Sequence, residues 1–439
     1  MKDIRAYPLS AWIAVAVMAL TGCAPSDSAG PWAGWRGPTG MGLSETTELP
    51  AMWSRESENI RWDAELEGHG NSSPIVVDGV VIATSAKTMK RKTGKQIKGY
   101  VTAIDLESGE RLWMTELPTR PSEKRHFLNS HAAPTPATDG QRIFVYLGSE
   151  LAALDMAGNI LWTQTVDQTY VKYSRYGAAS SPVLVDDMVI LFQDREFGHN
   201  DDIGWLAALS QETGEEIWRV EWIDTCCAYS TPVVRPDSGE LIIAHSGTVR
   251  GYDPATGEIL WAENHKMVQT VPSPVIEGDL LAMTGGGNHN RSTLVVRLTG
   301  KRAKTETEVL WEIERKYSAK TASPVLVQGI FYVVTEAGVL VAYEAESGKM
   351  LYRERLYGGN YRSSIVYGDG KLYITNEGGM TSVVAATREF DLLAENNLGT
   401  GSNASPAVSD SCLLLRSPSR VFCIDKETAP MAGTTSTAG

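Results

Sequence analysis

Histidine and cysteine have the widest chemistry among the side chains of this sequence, because they bind metals, transfer protons and form disulfides. The chain contains seven histidines and five cysteines. The histidines are His69, His126, His131, His199, His245, His265 and His289. No two of them have the i, i+4 spacing of a helical metal site, and none belongs to a matched Cys/His pattern. The spacing therefore predicts no metal site.

Four of the cysteines form two pairs. Cys226 and Cys227 are adjacent, so they are either two thiols or an eight-membered disulfide ring. Cys412 and Cys423 lie at equal distances from a turn predicted at Ser417-Pro418, so strand pairing would set them opposite each other. A structural disulfide and two packed thiols are both compatible with that second pair.

The N-terminus predicts export. A weakly positive start precedes an apolar stretch, residues 9–20, that is too short to span a bilayer comfortably. The stretch ends in Leu-Thr-Gly-Cys23, which matches the bacterial lipobox. We therefore expect a signal peptide over residues 1–22, a lipid on Cys23, and a tether and extended leader over residues 23–58. A plain cleaved signal or an uncleaved anchor is the alternative.

Composition indicates a folded, acidic protein. The chain is 42% hydrophobic with 12 Trp, which is ample apolar material for a core. Its net charge of -13 argues against nucleic acid as a partner, because phosphate binding needs a basic surface. Residues 87–98 form the one basic run, which we interpret as a solvated hairpin tip.

A short Ser/Thr-Pro signal followed by alternating apolar residues recurs eight times. The copies are Ser73-Pro74, Thr135-Pro136, Ser181-Pro182, Thr231-Pro232, Ser273-Pro274, Ser323-Pro324, a degenerate Ser363-Ser364, and Ser405-Pro406. A second signal, usually an acidic residue, a Gly turn and an aromatic residue, accompanies most copies. We expect these aromatic residues to pack between neighbouring repeats: Trp62, Trp113, Trp162, Trp218, Trp261, Trp311 and Tyr352.

Each repeat divides into four alternating runs separated by turns, which predicts a four-stranded antiparallel sheet. One such sheet cannot bury its two apolar faces, so eight copies predict an all-β, eight-bladed β-propeller over residues 59–426. The last repeat lacks a fourth strand, and residues 59–66 form an orphan strand with the expected Trp62. We expect this N-terminal strand to pair with the last blade and close the ring. Residues 427–439 are expected to be a flexible tail.

The repeat "SSPVLV…ALxxxTGEEIWR" resembles the pyrroloquinoline-quinone-like (PQQ-like) propeller repeat over about residues 31–426. One branch of that superfamily is the BamB-like lipoproteins, which are non-enzymatic scaffolds of outer-membrane assembly. Another is the quinoprotein alcohol dehydrogenases, which bind PQQ and calcium and in some members carry a vicinal disulfide at the quinone. No calcium-ligand set of that branch maps onto this sequence, and no Cys-x-x-Cys-His haem motif occurs.

Antiparallel blades put the blade-to-blade loops and the loops between the second and third strands on one side of the disc. Most long insertions fall on that side, so we expect the ligand face there. The candidate residues are Cys226, Cys227, His69, His131, His199, His289, Tyr176 and Tyr229.

These features favour a non-enzymatic envelope lipoprotein that binds proteins or ligands through one propeller face. The resemblance gives an alternative, a PQQ- and calcium-dependent dehydrogenase. A second alternative is polysaccharide binding by a tyrosine cluster, namely Tyr170, Tyr173, Tyr176 and Tyr229. Envelope proteins are the expected partners of a monomer. Ala24 after the lipidated cysteine resembles the signal that directs enterobacterial lipoproteins to the outer membrane.

Overall fold

A computed structural model describes residues 32–54, 59–91, 94–167, 169, 172, 175–194, 203–287, 290–314, 317–410 and 412–426. Over these residues the strands form eight antiparallel sheets, and each sheet is one propeller blade. The predicted fold class is confirmed, and so is ring closure by the N-terminal strand, which pairs with the last strand of the final blade. In the described part of the chain, no helix is long and apolar enough to cross a membrane.

The strands are numbered in chain order. The closing strand is β1 (Ile60–Glu65), and blades 1 to 3 contain β2 (Ile75–Val77), β3 (Val80–Arg91), β4 (Gly94–Asp105), β5 (Arg111–Glu116) with β6 (Arg120–Pro121); β7 (Ala137–Thr138), β8 (Arg142–Leu147), β9 (Glu150–Asp155), β10 (Ile160–Thr165); and β11 (Val183–Val185), β12 (Met188–Gln193), β13 (Gly204–Ser210), β14 (Glu216–Trp222). Blades 4 and 5 contain β15 (Val233–Val234), β16 (Leu241–Ala244), β17 (Thr248–Tyr252), β18 (Ile259–Asn264); and β19 (Val275–Glu277), β20 (Leu280–Gly285), β21 (Ser292–Thr299), a 3₁₀ turn (Arg302–Lys304), β22 (Glu306–Glu314). Blades 6 to 8 contain β23 (Val325–Val327), β24 (Ile330–Val334), β25 (Val339–Glu344), β26 (Met350–Arg355); β27 (Val366–Gly368), β28 (Lys371–Thr375), β29 (Met380–Ala385), β30 (Leu392–Asn397); and β31 (Ala407–Ser409), β32 (Cys412–Ser417), β33 (Arg420–Ile424).

Burial follows the position of a strand in its blade. Strand β24 is apolar and buried at all five positions, because neighbouring blades cover both of its faces. The outer strand β26 of the same blade is fully buried at none of its positions. The core therefore lies between blades, in the two middle strands of each.

The Ser/Thr-Pro signal forms a chain of hydrogen bonds around the axis. In seven of the eight blade junctions, the backbone N–H of the repeat residue donates to the hydroxyl of its equivalent in the next blade, at 2.9–3.0 Å. The chain runs from Ser73 to Ser405 through Thr135, Ser181, Thr231, Ser273, Ser323 and Ser364. The recurrence of a hydroxyl residue at this point thus has a physical cause, which is a buried amide that needs an acceptor.

This chain predicts a contrast between two buried serines. Ser323→Ala should lower the free energy of unfolding by about 1–2 kcal/mol, because it leaves the buried N–H of Ser273 without an acceptor. Ser73→Ala is the matched control and should change stability by less than about 0.5 kcal/mol, since the Ser73 hydroxyl has no partner among the described residues. Urea unfolding of both variants tests this, and equal losses would contradict it.

Five of the tryptophans share one arrangement. Trp62, Trp113, Trp162, Trp218 and Trp311 each donate the indole N–H to a backbone carbonyl of the next blade, at 2.7–3.2 Å. Each ring also packs on a glycine of that blade, and at Gly109, with φ of +73°, a Cβ would lie 2.4 Å from the Trp62 ring. The glycine in the repeat is therefore required both by its positive φ and by the ring above it.

Trp261 and Tyr352 depart from that arrangement. The Trp261 indole lies over Gly251 and 3.4 Å from Glu240 Oε2, both in its own blade. The next blade has an insertion instead of the usual turn, and the fully buried Glu240 anchors it by accepting from the Thr305 hydroxyl at 2.7 Å. Tyr352 packs edge-on against Phe390 of the following blade, with ring centroids 5.6 Å apart.

Candidate functional site

A funnel of about 480 Å³ lies on the propeller axis. It opens on what we call the loop-bearing face, the side from which the blade-to-blade loops and the loops between second and third strands emerge. Every blade contributes the residue two positions before its Ser/Thr repeat residue. These lining residues are Asn71, Ala133, Ala179, Tyr229, Val271, Thr321, Arg362 and Asn403.

The floor of the funnel comes from the leader. Trp35 lines both the funnel and a second cavity of about 340 Å³ beneath it, so its side chain separates the two. Its indole N–H points to the Ser273 hydroxyl at 3.4 Å. The neighbouring Arg36 is buried and donates to the carbonyls of Pro324 and Ile365, at 2.5 and 3.2 Å. Burial lowers the pKa of Arg36 to about 9. The leader is thus an integral part of the site.

One wall of the funnel is aromatic. Tyr176 lies between His126 and Tyr229, with ring centroids 5.8 and 5.9 Å away respectively, the second contact being edge-to-face. These geometries are typical of favourable aromatic pairs. All three residues belong to blade-to-blade loops, so loop conformation determines this wall.

A buried ionic cluster holds the loop that carries His126. Glu123 forms an ion pair with Arg120, and its Oε1 lies 2.7 Å from His131 Nδ1. Burial alone would raise the pKa of Glu123, but the hydrogen bond with His131 and the Arg120 guanidinium lower it to about 2. The carboxylate is therefore ionised at neutral pH and anchors the loop.

The opposite wall is polar and cationic. Arg362 and Lys320 line it together with the amides of Asn403 and Asn71. Arg362 Nε donates to Glu377 Oε2 at 3.1 Å, which orients the guanidinium. Among the described residues that line the funnel there is no Asp or Glu.

The candidate residues from the sequence are distributed unevenly. Tyr176 and Tyr229 line the funnel. His131 binds Glu123, and His69 is exposed in an isolated bridge with Ala86; neither lines the funnel in the described structure. Cys23, His199 and His289, together with Tyr170 and Tyr173, lie outside the described residues.

The adjacent cysteines are not among the described residues that line the funnel. Cys227 is buried and Cys226 partly exposed; neither is in a disulfide, and their sulfurs are 2.8 Å apart. Cys227 has φ of +69°, the left-handed region, which turns the chain sharply before Tyr229.

Cys412 and Cys423 are also buried and free. The sequence-based register for this pair is wrong by two residues, because the turn lies one residue later than predicted. The hairpin pairs Ser417 with Arg420, so Cys423 lies opposite Leu414 instead of opposite Cys412. The two cysteines are diagonal neighbours on one face of the blade.

The funnel does not fit the calcium ion of quinoprotein dehydrogenases. Calcium takes six to eight oxygen ligands, carboxylates prominent among them. No group of three His, Cys, Asp or Glu that could hold a metal occurs in the described part of the chain, and the described funnel lining contributes no carboxylate. The donor set for a calcium-assisted quinone reaction is therefore missing from these residues.

A family model described as "Outer membrane protein assembly factor BamB" matches residues 97–308 and 295–428. These matches cover most of the propeller. The chain belongs to this family. A BamB of Yersinia pestis is 25% identical over 286 residues, 64% of this chain and 57% of that protein. One of Legionella pneumophila (strain Paris) is 28% identical over 210 residues, 46% of this chain and 49% of that protein. The matches thus span about half the length of these relatives.

Solved structures support the fold. BamB from Moraxella catarrhalis superposes with a TM-score of 0.58 at 13% identity, covering 83% of this chain and 97% of that one. A quinohemoprotein alcohol dehydrogenase from Comamonas testosteroni gives 0.63 at 12% identity, covering 92% and 82%. Both likenesses show a shared propeller architecture and do not by themselves separate scaffold from enzyme.

Proposed function

We propose that this BamB-family chain is a non-enzymatic, lipid-anchored scaffold of the cell envelope that docks an outer-membrane assembly protein on its loop-bearing face. The observation that carries the proposal is a set of exposed apolar side chains on the loops of that face. Phe127 is 81% exposed and Ile223 is 68% exposed. Exposed apolar groups at a polar rim are typical of protein-docking sites. Ile203, Val268 and Tyr357 extend the set.

The position of the leader supports this orientation. Trp32 pairs with Val76 of the innermost strand of blade 1, and Leu43 pairs with Tyr367 of blade 7, both toward the face opposite the loops. A lipid on Cys23 would hold that opposite face toward the membrane, since eight intervening residues reach at most about 30 Å. The loop-bearing face would then be presented to partners away from the bilayer.

Co-purification from solubilised envelope tests the proposal. The wild-type chain should retain an outer-membrane assembly protein, and the double variant Phe127→Ser, Ile223→Ser should retain about tenfold less, because apolar anchors dominate such interfaces. The control is Leu161→Ser, Ile217→Ser, two side chains that are each 50% exposed on outer strands of blades 2 and 3. Equal retention by all three proteins, or no assembly protein in any of them, would refute the docking face.

A further inference from the structure

We infer that the axial funnel is a binding site for a small acidic saccharide, a hydroxylated sugar ring that carries a carboxylate. This site is distinct from the proposed docking rim, since the funnel lies inside the ring of loops and its ligand contacts use different side chains. The inference rests on the enclosure of the funnel, its charge, an unpaired buried acceptor and its aromatic wall.

Enclosure limits the size of the ligand. Trp35 lies between the funnel, of about 480 Å³, and the second cavity, so its side chain forms the floor of the funnel. Cavities of this volume suit small molecules or the end of a longer chain. One or two sugar rings would fit, whereas a folded partner would not enter.

The charge of the funnel lining favours an anionic ligand. The chain carries 53 acidic and 40 basic residues, yet the described lining contains Arg362 and Lys320 and no acid. Two carboxylates that are not in the lining contact this wall: Glu377 binds Arg362, and Glu336 accepts from the backbone N–H groups of Lys320 and Thr321. Both of them position the cationic wall.

Arg362 has the geometry for a carboxylate. Its Nε is bonded to Glu377, while its Nη groups have no partner among the described residues. Its side chain is 22% exposed. A guanidinium fixed on one edge presents its remaining donors as a fork that matches a carboxylate.

Asn403 offers a hydrogen-bond acceptor that a ligand hydroxyl would satisfy. It is the next residue along in the ring of lining positions, and its Oδ1 is buried without a hydrogen-bond donor among the described residues. Leaving a buried acceptor unpaired is costly, so a ligand that brings a donor would relieve that cost. A sugar supplies hydroxyl donors next to its carboxylate, and Asn71 on the following blade continues the polar sector.

The aromatic wall suits the face of a sugar ring. Tyr176 and Tyr229 stand across the funnel from the cationic wall, with Trp35 below. Aromatic side chains offer a large apolar surface with a polar edge, which matches the C–H face and hydroxyl rim of a pyranose. The three surfaces together distinguish an acidic sugar from an inorganic anion, which would leave the aromatic wall unused.

Calorimetric titration of the full chain in detergent with digalacturonate, and with the neutral disaccharide digalactose, tests the inference. Digalacturonate should bind about tenfold more tightly, because only it has a charged partner for Arg362. Arg362→Gln should abolish that preference while affinity for digalactose changes less than about twofold. The matched control Arg388→Gln, an arginine paired with Glu344 on the opposite face, should retain the preference.

Asn403→Ala gives a second variant if Arg362→Gln does not fold, and it should weaken both sugars. Equal binding of the two sugars to the wild-type chain would overturn the inference, as would a lack of binding up to about 10 mM, the weak end of specific recognition. A preference that persists in Arg362→Gln would overturn it as well. None of these results bears on the rim variants, so the docking proposal is judged separately.

Discussion

Arg416→Ala is expected to lower the free energy of unfolding by about 3–4 kcal/mol, through a cavity and lost hydrogen bonds at the closure of the ring. Arg416 is 1% exposed and lies at the junction of the last blade with the first. It donates to the carbonyls of Ser72 and Thr84, at 2.8 and 2.6 Å. Neither carbonyl can reach water, because both residues are fully buried.

The effect is large because this junction lacks the link that joins the other seven. The chain of amide-to-hydroxyl bonds ends at Ser405, and the hydroxyl of Ser73 has no partner in the described structure. Arg416 crosses the gap with a charged donor instead. Burial lowers its pKa to about 9, so the side chain keeps its proton at neutral pH despite the apolar surroundings.

Two further variants separate the causes. Arg416→Met fills most of the space but donates nothing, so it should cost about 1–2 kcal/mol, which isolates the hydrogen-bonding part. Arg420→Ala is the control, since Arg420 pairs with Asp63 of the closing strand but is 33% exposed, and such surface pairs contribute up to about 1 kcal/mol. Urea unfolding at pH 7 measures all three. A loss below about 1 kcal/mol for Arg416→Ala would show that β1 alone holds the ring closed.

The fold was predictable because each repeat needs the same contacts with its neighbouring blades. A hydroxyl at the axis accepts the amide of the preceding blade, and Trp113 or Trp218 covers the glycine turn of the following one. Identical roles demand similar residues, so periodicity is visible in one sequence. The closing strand was predictable for the same reason, because Trp62 repeats the role at the other end of the chain.

The site was predictable only in part, because its residues differ from blade to blade. The lining position, two before each Ser/Thr, is fixed by the repeat, but it holds Asn, Ala, Tyr, Val, Thr or Arg and so gives no periodic signal. Arg362 could have been found by counting back from Ser364. Trp35 could not, since it belongs to the extended leader, whose path depends on long-range contacts. The error at Cys423 arose from a turn displaced by a single residue.

Acid should destabilise the propeller at pH values above those at which its carboxylates titrate. His245 and His265 are buried, and burial lowers their pKa values to about 3 and about 4. The folded state therefore binds fewer protons than the unfolded state below pH 6.5. The contribution of the two neutral histidines to the free energy of unfolding is fully present above that pH and decreases as the pH falls. At about 1.4 kcal/mol per pH unit, each histidine should remove about 2–3 kcal/mol between pH 6.5 and 4.5.

The surroundings of His245 explain why it stays neutral and how to test it. Its Nε2 lies 2.7 Å from the Tyr252 hydroxyl, and its ring stands edge-on to Trp222, with ring centroids 5.1 Å apart. The positive charge of Arg250 disfavours a second positive charge on His245. Asp224 attracts that charge but is itself paired with Arg250. His245→Gln keeps an acceptor for Tyr252 and should halve the loss of stability between pH 6.5 and 4.5, measured by urea unfolding at each pH. His69→Gln, at an exposed position, should follow the wild-type profile. A wild-type profile that is flat over this window would contradict the prediction. It would mean that water or an open conformation solvates both rings, so that the tight packing around His245 and His265 does not persist in solution.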